Sequence, residues 1–171
     1  MAEQLGFVFD APKPRWFSSR RTEPFVWVAR LLVLRERQLS AETVVREIRL
    51  RRGLNILWAR PSPLENNRLF DGRLMGHTAG KTTFCRLIRY VLGEPRFGTQ
   101  RVQERIRESE LSGGWVVAEV FVGGEAWVVG RPFALNLHPF AARGRTVEEA
   151  LAEGGAYQDF LDAVNAATVA R

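Results

Sequence analysis

The sequence predicts an α/β lobe. It combines a mixed sheet, in which an antiparallel strand layer carries a hairpin, with one main helix set behind a phosphate-binding loop. Three observations carry this. The run Gly76-His77-Thr78-Ala79-Gly80-Lys81-Thr82-Thr83 ends in Gly-Lys-Thr and passes at once into a helical pattern. Short apolar stretches of strand length precede it. Downstream, two β-rich runs flank Gly123-Gly124, a hairpin signal, because both glycines reach positive φ without steric cost.

Composition sets the limits. A chain of 171 residues, 46% hydrophobic, is one domain with enough apolar material for a core. The single cysteine, Cys85, excludes an internal disulfide and reads as inert packing beside the core face of a helix. Two widely spaced histidines and one cysteine give no metal signature. The most apolar run, 25–34, is short and interrupted by Arg30, so no membrane span is expected. With Glu3 and no basic leader at the start, a cytoplasmic location is expected. A net charge of +6 points to a polyanionic partner, although the arginines are spread along the chain.

The elements follow in order. Residues 1–24 hold Pro12, Pro14 and Pro24 with Ser18, Ser19, Arg20 and Arg21, and read as a flexible N-terminal arm; Phe7, Phe9, Trp16 and Phe17 give it docking side chains. Residues 25–171 form the lobe. Phe25–Arg35 and Val44–Leu50 read as strands, and after Gly53 the run Leu54–Ala59 reads as a buried strand. From Phe84 the apolar positions Phe84, Leu87, Ile88, Val91 and Leu92 mark one face of a helix, stopped by Gly93 and Pro95. Arg96–Glu110 is polar and reads as a solvated helix or loop. Trp115–Val122 and Glu125–Arg131 are the hairpin strands. Thr146-Val147-Glu148-Glu149 fits a capping box that opens a helix. A second helix spans Tyr157–Val169, with Phe160, Leu161 and Val164 inward.

The loop carries the chemistry. In a Gly-Lys-Thr loop the lysine ammonium reaches the outer phosphates of a nucleotide, glycine lets backbone N–H groups close around them, and the threonine hydroxyl ligates Mg²⁺. The helix N-terminus adds free N–H groups and a positive dipole end. Lys81 is one of two lysines among 25 basic residues, the other being Lys13. In so arginine-biased a chain, this position calls for a compact ammonium rather than a planar fork. The full pattern G-x-x-x-x-G-K-[ST] is imperfect, because Met75 and not glycine stands five residues before Gly80. The segment Arg60–Gly80, rich in turn formers, separates the expected strand from Lys81.

The segments "REIRLRRGLNILWA", "GHTAGKTTFCRLIRYVLGE" and "GGWVVAEVFVGGEAWVVGRPF" occur in an order that resembles the N-terminal half of an SMC-like ATPase head. This is the structural-maintenance-of-chromosomes class of ABC-type P-loop NTPases, which includes double-strand-break-repair and bacterial defence ATPases. The match covers roughly residues 26–131, with a divergent, enlarged loop. The resemblance implies a P-loop NTPase half-domain whose antiparallel layer flanks the P-loop strand and helix. It implies ATP and Mg²⁺ as cofactors, with Gly76, His77, Thr78, Ala79, Gly80, Lys81, Thr82 and Thr83 around the nucleotide. Lys81 would hold the β/γ-phosphates, Thr82 would ligate Mg²⁺, and the Thr83 N–H would meet an inner phosphate. Arg101, Arg105 and Arg107 lie where the family often places a phosphate-reaching arginine, and each has surface pairing with Glu104 or Glu108 as its plainer role. The implied partners are the C-terminal half of the same head or a second chain, a homodimer of heads, and DNA, in repair, chromosome maintenance or anti-phage and plasmid defence.

The departures bound that reading. Leu111-Ser112-Gly113-Gly114 spells the start of the ABC signature but follows Lys81 closely and leads into a strand, so it reads as a coincidental match. No apolar run ending in Asp-Glu follows, so Walker B and the catalytic glutamate are not in the sequence, and no residue is assigned a catalytic role. Glu119 is the carboxylate to suspect should turnover be seen. ATP hydrolysis is expected only when the lobe is completed by a C-terminal half and a second head. Two other classes fit less well: a non-hydrolysing, nucleotide-gated structural subunit of a DNA-associated complex, and a small-molecule P-loop kinase, for which a parallel βα unit would be expected in place of the hairpin.

Overall fold

The computed structural model describes residues 24–56 and 81–169. Nearly all of the predicted arm, and the loop residues Gly76, His77, Thr78, Ala79 and Gly80, lie outside the described residues. Five strands form one sheet: β1 (Val26–Leu34), β2 (Val44–Arg49), β3 (Trp115–Val122), β4 (Glu125–Pro132) and β5 (Phe140–Arg143). Their order is β2-β1-β3-β4-β5. Four helices accompany them: α1 (Lys81–Val91), α2 (Gln100–Arg107), α3 (Val147–Glu153) and α4 (Tyr157–Val169).

The α/β class holds, and one of its details is corrected. Every pairing in the described sheet is antiparallel, not mixed. Four helices form among the described residues: α1 follows the expected stripe, α2 forms within the polar 96–110 stretch, and the helices expected from the capping box and over Tyr157–Val169 form as α3 and α4. The strand expected from Leu54 is not seen over its described part: Leu54 and Ile56 are 74% and 79% exposed. The local cause is a turn. Gly53 takes φ 95°. The Asn55 side chain accepts from the Arg51 N–H and donates to the carbonyls of Arg51 and Gly53, offering the backbone an alternative to a ladder.

The hairpin forms as its sequence dictates. Gly123 and Gly124 sit at φ 58° and 89°, the two positive values of a type I′ turn, whose twist matches the flanking strands. Both faces of the sheet carry packed apolar side chains, because strands with near-continuous apolar runs have two faces to bury. On one face Leu31, Val33, Val116, Ala118, Val120 and Val129 pack under α1, α2 and α4. On the other Leu32, Leu34, Trp115, Val117 and Val128 pack under α3 through Val147, Ala150 and Leu151. There Thr146 caps α3 by accepting from the Glu149 N–H, while the Glu149 carboxylate accepts from the Thr146 N–H. That donor holds the Glu149 carboxyl below its ordinary pKa.

The second face is only partly roofed. Beyond α3 it carries a charge network, in which Arg30 bonds Glu47 at 2.9 Å and faces Glu119 at 3.9 Å, and Arg49 bonds Glu47 at 2.6 Å. The Glu47 carboxyl is lowered, chiefly by the Arg49 hydrogen bond.

Candidate functional site

The site is organised by α1. Its apolar stripe seats Leu87 and Val91 fully in the core, with Phe84, Ile88 and Leu92 packed around them. Tyr90 joins the buried face, and its hydroxyl donates to the Pro132 carbonyl at 2.6 Å. This anchoring leaves the first turn outside. Lys81, Thr82 and Thr83 are all exposed, and the first turn carries no acidic residue. The N–H groups of a helix's first turn lack intrahelical acceptors and carry its positive dipole end. Among the described residues no carboxylate occupies this helix end, and the arrangement is one to which an anion can be added.

The far end of α1 is locked. The Glu94 N–H donates to the Arg89 carbonyl at 3.0 Å and the Gly93 N–H to Tyr90 at 3.3 Å, the paired bonds of a Schellman motif. Gly93 supplies the required positive φ of 118°. Arg131 closes the cap from β4. The residue is 8% exposed, and its guanidinium donates to the carbonyls of Tyr90 and Glu94, each at 2.6 Å. It lies 3.8 Å from the Tyr90 ring centroid and 5.1 Å from that of Tyr157 on α4. No carboxylate pairs with it among the described residues. Helix-end carbonyls and two aromatic faces stabilise the cation instead. Burial raises both tyrosine pKa values above the ordinary phenol value, with Arg131 pulling each the other way.

The other predicted site residues fall elsewhere. Arg101, Arg105 and Arg107 stand exposed on α2, which is attached through Val102 and Ile106 and by the Gln103 amide to the Phe97 carbonyl at 2.9 Å. Their pairing with Glu104 or Glu108 does not form; Glu104 accepts from Gln100 instead, at 3.2 Å. Glu119 points to the sheet face opposite α1, since it alternates with Ala118 and Val120, which pack on the α1 side. The sheet lies between it and the α1 N-terminus. Leu111-Ser112-Gly113-Gly114 forms no helix start. Its Gly114 N–H bonds back to Leu111 at 2.9 Å as the chain turns into β3, and a Cβ there would stand 2.8 Å from the Leu34 carbonyl. Cys85 is exposed, not packed: it falls on the solvent side of the helix, off the stripe that begins at Phe84.

Sequence reasoning missed the Arg131 cap. The available signal was an arginine at the end of the uncharged run 126–130, where a strand about to leave the core brings a long side chain back under it. Among the described residues no cluster of His, Cys, Asp or Glu can hold a metal ion, and no helix is long and apolar enough to cross a membrane. No protein-family model, curated protein or solved structure matches the chain.

Proposed function

We propose that this chain is the ATP- and Mg²⁺-binding N-terminal half of an SMC-like ATPase head. The observation that supports it most is the coincidence of Gly80-Lys81-Thr82-Thr83 with the start of a helix whose first turn is exposed and free of acidic residues. Lys81 takes the outer phosphates and Thr82 the Mg²⁺, with the loop from Gly76 to Gly80 closing around them. The antiparallel sheet under α1 agrees with the antiparallel layer such heads place beside the loop helix. A parallel strand feeding the loop helix, which a head and a small-molecule kinase would both need, is not among the described residues, so the sheet does not separate the two. The absence of an Asp-Glu strand in the sequence makes hydrolysis dependent on a completing half and a second head. In that assembly the chain serves DNA repair, chromosome maintenance or defence, with the unpaired arginines of α2 facing phosphate. Titration calorimetry with ATP and Mg²⁺ tests the reading: weak binding by the chain, abolished in Lys81→Ala, is expected. Equal affinity in the variant would sink the loop assignment.

A further inference from the structure

We propose that the cleft between α4 and the β4–β5 end of the sheet docks the chain's own basic N-terminal segment, residues 11–22. This is independent of the nucleotide reading. The cleft has a volume of about 610 Å³, and four carboxylates (Glu125, Glu153, Asp159, Asp162) line it against two guanidiniums, those of Arg143 and Arg145. Both guanidiniums are already engaged, Arg143 with Glu125 at 3.2 Å and Arg145 with Glu153 at 3.6 Å. Asp162 accepts only the Gln158 amide, at 2.8 Å, and Asp159 has no partner among the described residues. Two α4 carboxylates spaced i, i+3 are neighbours on one helix face. Among the described residues no cation pairs with them, in a chain of net charge +6. Trp127 also lines the cleft; it is 7% exposed, and its indole N–H has no acceptor. An indole N–H only donates, so its natural complement is a carbonyl oxygen. A basic peptide offers cations and carbonyls together.

Residues 11–22 fit that description. They hold Lys13, Arg15, Arg20 and Arg21 and no acidic residue. They also enter the fold at the right place. Val26 opens β1 opposite Val122, and Val122 lies opposite Glu125. The Phe25 carbonyl accepts from the Gly123 N–H at 2.8 Å, fixing the entry beside the hairpin turn. Two strand spacings put Val26 about 10 Å from Glu125 at the cleft. Arg21 precedes Val26 by five residues, an extended reach of about 17 Å. The segment therefore spans the gap without strain. Exposed charge pairs are individually weak and screened by salt, so the docking is reversible and salt-sensitive.

The scarcity of lysine supplies the test. Carbodiimide couples amines to carboxylates and leaves arginine untouched, and Lys13 and Lys81 carry the only lysine amines. In the full chain at low salt, a Lys13–Asp159 or Lys13–Asp162 crosslink is expected. Its yield should fall several-fold in about 0.5 M NaCl, where screening reaches only a few ångströms, and in Arg20→Glu/Arg21→Glu. Crosslinking of Lys13 to Glu47 or Glu119 instead, or a yield indifferent to salt and charge reversal, overturns the proposal. Mixing ¹⁵N-labelled and unlabelled chains should give singly labelled crosslinked peptides; mixed labels would assign the cleft to a second copy and overturn docking within one chain. If Lys13 gives no crosslink, tryptic cleavage after Arg20 and Arg21 decides. Asp159→Asn/Asp162→Asn should speed it several-fold, and an unchanged rate refutes the docking.

Discussion

Replacing Arg131 by methionine isolates what a buried cation without a carboxylate contributes to this fold. Methionine keeps most of the apolar stem and roughly the volume, so packing changes little. What is lost is the guanidinium: two 2.6 Å bonds to the Tyr90 and Glu94 carbonyls and a 3.8 Å stack on Tyr90. Charge-assisted bonds contribute roughly 1.5–3 kcal/mol each, and a desolvated cation–π contact about 2. Against this stands the cost of burying the charge, several kcal/mol. The substitution relieves that cost but strands the Glu94 carbonyl, at about 1–3 kcal/mol; the Tyr90 carbonyl keeps the Gly93 N–H. The balance is a loss of roughly a few kcal/mol, and for a domain of this size Tm should fall by about 2–4 °C for each. Arg131→Lys should also lose stability, because an ammonium keeps neither the planar stack on Tyr90 nor the second nitrogen's 3.4 Å bond to the Pro95 carbonyl. Circular dichroism melts and denaturant titrations read both. A Tm for Arg131→Met equal to or above wild type would show that desolvation cancels the bonds, and would refute the cap as a net stabiliser.

Other outcomes follow from the same contacts. The chain's only tyrosines, Tyr90 and Tyr157, have pKa values raised by burial, so as pH rises past about 10 the unfolded state loses their protons first. Stability present below that pH should therefore decline above it, with phenolate absorbance appearing only as the chain unfolds; phenolate in the folded chain near pH 10 would contradict the burial argument. Thr146→Ala removes the reciprocal cap of α3 and should cost about 1 kcal/mol in a denaturant titration; no change would mean that α3 is held by Val147 and Leu151 alone. On the proposed reading the assembled head binds duplex DNA, and that binding should weaken steeply with salt and on charge reversal at Arg101, Arg105 and Arg107. Indifference to either would remove α2 from the DNA-facing surface.

Much of this fold is legible where a local signal and a tertiary partner agree. The 3.6-residue stripe from Phe84, the Gly123-Gly124 turn and the Thr146 capping box each specify their element within a few residues, and each forms. Over its described residues, 54–56, the expected strand does not form, because an apolar run does not encode the side-chain hydrogen bonds that compete with a ladder. Asn55 closes a turn there instead. Cys85 was misplaced because its position beside the stripe was read as burial, and one residue of helix is a rotation of about 100°. The candidate site was legible only as far as its helix start. Whether Glu119 faced the α1 side depended on strand register, since a shift of one residue exchanges the two faces of the sheet. The Arg131 cap joins residues some forty positions apart, beyond any sequence spacing rule.

The central claim is that the first turn of α1 binds nucleotide phosphate, and amide NMR shifts during ATP titration test it most directly. With Mg²⁺ present, the largest changes should fall on the amides of Lys81, Thr82 and Thr83. They should be absent with adenosine, which has no phosphate, and in Lys81→Ala. Changes of the same size with adenosine, changes centred on α2 instead, or none at saturating ATP would contradict the account.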